Sequence, residues 1–530
     1  MELNLNWSLL TPEYILAGGA GMVVLLDLFW GRLRKDQLAY VAAAVALASA
    51  LTALIWVNDD TNFANLIDID NYTALFRVFF GLIGVFACVA SARFVKDRLL
   101  HAGEYYGLIL LSVLGANLMA AASELLTAYI SLELLSFSLY VLTSYAKFDL
   151  RSNEGGLKYM LLGAFSSAIL LYGIGMIYGV SGSTRFSEIA ASLSGDTSSF
   201  DMAMFLGLVL IIAGLGFKVA AVPFHMWTPD AYEGAPLPIT ALISALGKAA
   251  GFALFLKLFG QAFIPLVDDW RVFIAVLSAM TMALGTLVAI QQHNIKRLMA
   301  YSSIGQVGFL MMGIAALTPE NADAASALVL HLVGYVISNL AVFVAIIIYY
   351  NWTGKEEISD YAGAAERAPY LALTLSIAFF SLAGMPLFAG FATKFILFQA
   401  AAEQGLLWLS GLAVFFSFVS LYYYLIVIKE MYLGKPEEPR RFPTPWLEYG
   451  ALTLLIAGVF LIGLYPQPVF DIVEDGAVAM MTASEAFGTS TGSACGADGR
   501  LVWRDFGGRD ARTASVCKCD GSGDARRPGG

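Results

Sequence analysis

The sequence is poor in charged residues. Only 14% of its 530 residues are Asp, Glu, Lys or Arg, whereas soluble globular proteins carry about 25%. Hydrophobic residues make up 58%, and apolar runs of about 20 residues, the length that crosses a bilayer, recur along the chain. The composition therefore predicts an all-α polytopic membrane protein. The net charge of −10 and the absence of a basic patch argue against nucleic-acid binding.

Cysteine is scarce as well. Of four cysteines, Cys88 lies in an apolar run, and Cys495, Cys517 and Cys519 lie near the C-terminus, where CKC is too short to indicate a metal site. The sequence also lacks a glycine-rich phosphate loop, a haem-attachment motif and iron–sulfur spacing. We therefore predict that this chain holds no metal, no cofactor and no electron-carrying group.

Hydropathy predicts fourteen membrane spans. The loops after odd-numbered spans hold 15 Lys and Arg residues, and the loops after even-numbered spans hold 2. Because basic residues collect in cytoplasmic loops, both termini are predicted to lie on the non-cytoplasmic side. The predicted spans cover 12–30, 37–57, 72–95, 105–122, 124–145, 156–180, 202–222, 236–260, 271–291, 297–317, 325–350, 370–401, 406–432 and 447–465.

Two of these spans contain helix-breaking residues. Span seven is interrupted at Pro223, and span twelve at Gly384-Met385-Pro386. The breaks are five spans apart, at the same position of two five-span blocks. Because each block has an odd number of spans, the two blocks have opposite orientations in the membrane. Paired breaks of this kind indicate an ion-handling site in a transporter fold. The predicted divisions are an N-terminal three-helix segment (1–103), two inverted five-helix repeats (104–260 and 261–432), a C-terminal transmembrane helix (433–484) and a polar, disordered tail (485–530).

Five of the ionisable residues in predicted spans stand out as candidates: Glu133, Lys158, Lys218, Lys248 and Lys394. A charged side chain at the centre of a bilayer costs about 2.5–3.5 kcal/mol, so each needs either a function or a structural partner. Glu133 and Lys248 lie near the centres of their spans. Lys158 lies only about one turn inside its boundary, where a lysine can also extend its ammonium to the interface.

Proton transfer is the chemistry that suits this set. Burial favours the neutral form of a lysine, and a nearby carboxylate favours its charged form. Moving Glu133 toward or away from Lys218 would therefore switch that lysine between holding and releasing a proton, with Lys248 as the next acceptor. His225, beside the first break, suits proton hand-over near neutral pH.

Other polar residues in the spans leave two interpretations open. His331 in span eleven suits either a water-filled path or a hydrogen-bonded position in the core. Tyr301, Ser302 and Ser303 in span ten would either order water or pack at a helix interface.

Four stretches carry a resemblance to a known family. They are EGGLKYMLLGAFSSAILLYG (154–173), VPFHMWTPDAYEGAPLPITALISALGKAAGF (222–252), NIKRLMAYSSIGQVGFLMMG (294–313) and SLAGMPLFAGFATKFILF (381–398). The chain resembles the membrane subunits shared by proton-pumping NADH–quinone oxidoreductase (respiratory complex I) and Mrp-type cation/proton antiporters. FHMWTPDAYEGAP together with LKYMLLG favours the subunit N branch of this family over the sister subunits M and L.

The resemblance implies fourteen helices in two inverted repeats, with helices seven and twelve discontinuous. It implies that Glu133, Lys218, Lys248 and Lys394 match the proton-channel residues of the family, with Lys158 as a further one. Gln306 departs from the family pattern, because relatives often have histidine there, and this puts a titrating role at that position in doubt. The tail after about residue 485 has no counterpart in the family.

The resemblance also implies the setting in which the chain works. It would be a non-redox subunit of a proton-translocating oxidoreductase in the inner (plasma) membrane of a bacterium or an equivalent membrane. FMN, iron–sulfur clusters and quinone would belong to other subunits, and the partners would be the antiporter-like subunits M and L, the small subunits K and J and membrane lipid. The alternatives are a subunit of an Mrp-type Na⁺/H⁺ antiporter, or a scaffold whose buried charges only hold helices together.

Overall fold

The chain folds almost entirely into helices. The computed structural model describes residues 6–29, 35–98, 101–194, 202–435 and 446–488. Within these ranges, 12 helices are long and apolar enough to cross a membrane, or up to 13 if a bent pair near the C-terminus counts as one span. The all-α polytopic architecture is therefore confirmed. The count of fourteen spans and the inverted relation of the two repeats stay predictions.

The N-terminal segment contains a β-hairpin that the sequence analysis did not predict. Its helices are α1 (Thr11–Phe29), α2 (Lys35–Ala53) and α3 (Asn71–Arg98). Between α2 and α3, strands β1 (Thr61–Phe63) and β2 (Ile67–Ile69) pair antiparallel. Arg77 in α3 donates from Nε to Glu13 Oε1 in α1 over 2.8 Å, and both side chains are buried. This ion pair offsets part of the cost of placing two charges in the core.

The next block of helices contains the first break. Its helices are α4 (Ala102–Ala121), α5 (Leu125–Thr143), α6 (Leu150–Ser181), α7 (Phe186–Leu193), α8 (Met202–Val219), α9 (Trp227–Gly234), α10 (Leu237–Leu242) and α11 (Lys248–Gln261). Ala220 ends α8 with a φ of 68°. The Ala221 N–H bonds back to the Gly216 carbonyl at 2.7 Å, as in left-handed helix caps. Pro223, which has no N–H, follows, so span seven is broken where predicted.

A π-helical turn joins α10 to α11. It covers Ile243–Gly247, so predicted span eight is one helix over Leu237–Gln261, enclosed by other helices along its length. π-helical turns are rare in proteins, and those that do occur are often found at functional sites. Lys248 follows this turn directly.

The second block contains the second break. Its helices are α12 (Val267–Ala289), α13 (Ile295–Ala315), α14 (Asp323–Thr353), α15 (Ala364–Arg367), α16 (Pro369–Ala383), α17 (Ala389–Glu403) and α18 (Leu407–Leu433). Gly384 ends α16 with a φ of 84°, a conformation that glycine adopts without strain. The Met385 N–H bonds to the Phe380 carbonyl at 3.0 Å, and α17 starts after Pro386. The predicted break in span twelve is therefore confirmed.

The C-terminal part contains the span predicted over 447–465 and a second helix after it. Helices α19 (Trp446–Leu464) and α20 (Gln467–Gly488) are bent by 84° relative to each other. Gln261 in α11 donates from Nε2 to the Met480 carbonyl at 2.9 Å, which ties α20 to the central helix. Helix α20 continues past the predicted start of the polar tail. The remainder of that tail, with Cys495, Cys517 and Cys519, lies outside the described residues.

We expect the ion pair between α1 and α3 to be needed for stability. Arg77→Met leaves Glu13 buried without its partner, which should lower the free energy of unfolding by about 3–5 kcal/mol. Thermal melting of the detergent-purified protein measures the loss. The double variant Glu13→Gln, Arg77→Met removes both charges and should recover most of the stability. A single variant as stable as the double variant would contradict this prediction.

Candidate functional site

Glu133 and Lys218 lie near each other but do not form a direct ion pair in this structure. Glu133, in α5, is half-buried and accepts a hydrogen bond from the Ser167 hydroxyl in α6. Lys218, near the end of α8, donates from Nζ to Ser136 Oγ over 2.8 Å. Ser136 follows Glu133 by three residues and so lies almost one turn along the same helix face. The structure therefore places a hydroxyl, rather than the carboxylate, against Lys218.

His225 lies in the first break, after Pro223, and its side chain is half-buried. Its Nδ1 has no hydrogen-bond partner among the described residues. Trp227, two residues on, donates from Nε1 to the Phe217 carbonyl at 2.9 Å. The break therefore folds back onto the end of α8, next to Lys218, through Trp227.

Lys248 lies at the start of α11 and is enclosed by protein. Its Nζ donates to Ser303 Oγ in α13 over 2.5 Å and lies 5.8 Å from the centre of the Tyr232 ring. The Ser303 hydroxyl also lies 3.4 Å from the Tyr232 hydroxyl. Ser303, for which the sequence left two interpretations open, is therefore the direct partner of Lys248.

Lys394 and His331 lie close together at the second break. Lys394 Nζ donates to the Leu382 carbonyl at 2.8 Å and to Ser417 Oγ at 3.1 Å. His331 Nδ1 lies 3.0 Å from the hydroxyl of Thr393, the neighbour of Lys394 in α17. His331 Nε2 has no partner within the described part of the chain. The imidazole is thus hydrogen-bonded on one side and free on the other.

The three buried lysines of the predicted relay share one feature. Lys218, Lys248 and Lys394 are at most 4% exposed, and each donates to a serine hydroxyl. No ion pair joins any of them to a carboxylate in the described ranges. A hydroxyl can accept from an ammonium or donate to a neutral amine, so it suits both protonation states of a lysine.

Comparison with known proteins identifies the family. Residues 122–420 match the family described as NADH:quinone oxidoreductase/Mrp antiporter, transmembrane. The chain belongs to this family. Subunit 2 of the NAD(P)H-quinone oxidoreductase of Synechocystis sp. is 39% identical over 90% of this chain and 94% of its own length. The NADH-quinone oxidoreductase subunit N of Dehalococcoides mccartyi is 39% identical over 88% of this chain and 98% of its own.

A solved structure supports the same assignment. One chain of respiratory complex I from Thermus thermophilus with bound aureothin superposes with a TM-score of 0.74 at 26% identity, covering 88% of this chain and 100% of that chain. The resemblance found in the motifs is therefore confirmed. This member of the quinone oxidoreductase and antiporter family has the many apolar helices of a multi-pass membrane protein.

In this family member, Gln306 connects the sites of Lys248 and Lys394. Gln306 lies in α13, three residues after Ser303, and donates from Nε2 to the Leu382 carbonyl at 3.0 Å. Lys394 donates to the same carbonyl. One face of α13 therefore contacts Lys248 through Ser303 and the surroundings of Lys394 through Gln306. Gln306 does not titrate, but its amide can order the path between the two sites.

Lys158 lies apart from the buried lysines. Its side chain is 45% exposed and forms ion pairs with Glu154 at 2.7 Å and Asp230 at 2.8 Å. Arg297 also pairs with Asp230, at 3.0 Å, and with Glu233 at 2.8 Å. The structure thus places Lys158 in a surface network of charges that includes α9.

The sequence analysis missed two charged residues in the core. Arg77 pairs with Glu13, and Lys257 Nζ pairs with Asp68 Oδ2 in the hairpin at 3.0 Å. Lys257 is fully buried and also donates to the Ala121 carbonyl at 3.2 Å. A single basic residue inside each apolar run, NYTALFRVFF and GFALFLKLFG, was the signal that could have revealed them.

We expect the hydroxyl of Ser136 to contribute to proton transfer at Lys218. Ser136→Ala removes the only hydroxyl bonded to Nζ among the described residues, and pumping per assembled complex should fall about fivefold, as expected for the loss of one hydrogen bond. Ser138→Ala is the matched control, because Ser138 is a buried serine of the same helix that bonds to the Leu134 carbonyl. Equal pumping by the two variants would contradict the prediction. Dye-quench assays on inverted vesicles provide the measurement.

Proposed function

We propose that this chain is the subunit N of a proton-pumping quinone oxidoreductase and that it carries protons along Glu133, Lys218, Lys248 and Lys394. His225 would assist at the first break. The driving reaction, quinone reduction, would take place in other subunits, which would hold FMN, iron–sulfur clusters and the quinone. The membrane would be the inner membrane of a bacterium or an equivalent membrane.

One observation supports the relay above the others. Each of the three relay lysines bonds to a hydroxyl, whereas Lys257, a buried lysine of α11, bonds to a carboxylate. A carboxylate beside an ammonium holds the proton in place, because the charged form is then strongly favoured. A hydroxyl leaves the lysine able to exchange a proton in a medium that disfavours its charge.

The proton would move through changes in the neighbours of each lysine. With the Glu133 carboxylate drawn toward Lys218, the ammonium is favoured, and with the carboxylate held on Ser167, the neutral amine is favoured. The released proton would cross the first break toward Lys248, whose hydroxyl partner is Ser303. From there, the polar face of α13 leads to Lys394, where His331 offers a free ring nitrogen.

Two variants of Lys248 test the relay. Lys248→Arg keeps the charge but stays protonated, since the pKa of arginine exceeds about 12, and Lys248→Met keeps the apolar stem without the proton. Both should assemble, and pumping should fall at least about a hundredfold for each, as expected on removing one proton-transfer group. The measurement is proton pumping divided by the amount of assembled complex. A fully active Lys248→Arg would end the relay role of this residue.

Lys257→Arg is the matched control for this experiment. Lys257 lies on the same helix, is equally buried, and needs only its charge to bind Asp68. Assembled Lys257→Arg complexes should therefore pump normally. If they lost pumping as Lys248→Arg does, the contrast between hydroxyl-bonded and carboxylate-bonded lysines would carry no functional meaning.

The second candidate function is a subunit of an Mrp-type Na⁺/H⁺ antiporter, because the matching family includes both kinds of subunit. Purification of the intact complex separates the two. We expect flavin- and cluster-bearing subunits to co-purify and pumping to be driven by electron donors without a requirement for sodium. Sodium-dependent proton exchange by a complex that lacks those subunits would support the antiporter.

A further inference from the structure

The short helix α9 contacts both lysine sites of the first block. At its N-terminal end, Trp227 donates to the Phe217 carbonyl, next to Lys218. Near its C-terminal end, Tyr232 lies against Lys248 and within 3.4 Å of the Ser303 hydroxyl that binds it. A displacement of α9 would therefore change the surroundings of both lysines.

Charged side chains hold α9 between two long helices. Asp230 accepts from Lys158 in α6 at 2.8 Å and from Arg297 in α13 at 3.0 Å. Glu233 accepts from Arg297 at 2.8 Å. Burial alone would raise the pKa of Asp230, but the hydrogen bonds from Lys158 and Arg297 outweigh it and lower that pKa below its ordinary value. The carboxylate is therefore ionised at neutral pH, and the network keeps its charges.

The backbones of α6 and α9 touch where these ion pairs form. A Cβ added at Gly155 would lie only 2.7 Å from the Asp230 carbonyl oxygen. A Cβ at Gly234 would collide with the Arg151 carbonyl. Because no side chain separates the two helices there, any shift of α9 on α6 would alter the geometry of the pair between Lys158 and Asp230.

The surroundings of Lys158 differ from those of the relay lysines. Two carboxylates bind its ammonium and hold the proton on it, and its side chain is 45% exposed. We propose, on the basis of the proposed function, that Lys158 and Arg297 are positioning residues. Their charges hold α9 through Asp230 and thereby keep Tyr232 and Ser303 against Lys248, and Lys158 does not itself release a proton. This role replaces the relay role that the sequence analysis predicted for Lys158.

Charge-conserving and charge-removing variants of Lys158 test the proposal in the intact complex. Lys158→Arg keeps both ion pairs but does not deprotonate, so pumping should stay within about twofold of the parent. Lys158→Met removes the pairs, and pumping per assembled complex should fall about tenfold, because small displacements near a reacting group are costly. Lys429→Met, which removes an exposed lysine from α18, is the control and should pump normally. If Lys158→Arg pumped as poorly as Lys158→Met, or if both pumped normally, the positioning role would be overturned.

Two further variants keep the test decisive if Lys158→Met fails to assemble. Asp230→Asn has nearly the same shape and removes the charge that both Lys158 and Arg297 bind, so it should also lower pumping about tenfold. Gly155→Ala pushes α9 away without changing any charge and should have a similar effect. Normal pumping by both would overturn the positioning role.

A parallel measurement separates this proposal from the proposed function. Lys248→Arg, tested in the same membranes, reports on the relay alone. A fully active Lys248→Arg refutes the relay whatever the Lys158 variants do. An inactive Lys248→Arg combined with an inactive Lys158→Arg leaves the relay intact and overturns only the positioning role of Lys158.

Discussion

The cost of placing a cation in an apolar core governs this structure, and the chain meets it in two ways. Lys257 and Arg77 are neutralised by carboxylates from the hairpin and from α1. Lys218, Lys248 and Lys394 donate hydrogen bonds only to hydroxyl and carbonyl groups in the described part of the chain. The first arrangement stabilises the fold, because it fixes the charge. The second leaves the charge state open, which is the condition that a proton carrier requires.

The helix breaks supply part of what the second arrangement needs. Where a helix unwinds, its carbonyls lose their intrahelical partners and become available to a cation or to water. The Leu382 carbonyl, at the end of α16, accepts from both Gln306 and Lys394. The first break instead contributes a helix of eight residues, α9, whose two ends contact the sites of Lys218 and Lys248. The second break thus offers a carbonyl to the lysine, whereas the first break contributes a short helix.

Exposed ion pairs connect α9 to the long helices α6 and α13. Asp230 and Glu233 lie on α9, and their partners lie on α6 and α13. Exposed ion pairs contribute little to stability individually. Together they can still fix α9 relative to α6 and α13, because a shift of α9 would break each pair. In the proposed mechanism, half-exposed Lys158 would act on the buried proton path in this way without belonging to it.

Local features of the sequence were sufficient for much of this description. Long apolar runs predict membrane helices because a bilayer demands a fixed length, and Pro223 and Pro386 predict breaks because proline cannot continue a helix. Isolated lysines in such runs, as at Lys248 and Lys394, predict a functional site because burying them is costly. Each of these inferences needs only residues that are close together in the chain.

The partner of each charge was decided by the tertiary structure alone. Glu133 was expected to pair with Lys218, yet helix packing places Ser136 against the lysine. Lys158 was read as a relay residue because its position in the sequence does not reveal that α9 brings Asp230 beside it. Lys257 pairs with Asp68, which lies in a distant hairpin that hydropathy does not detect. The sequence by itself therefore determined where isolated charges lie in apolar runs. Only the packing of distant helices decided which of these charges a carboxylate neutralises, because the partner lies far away in the chain.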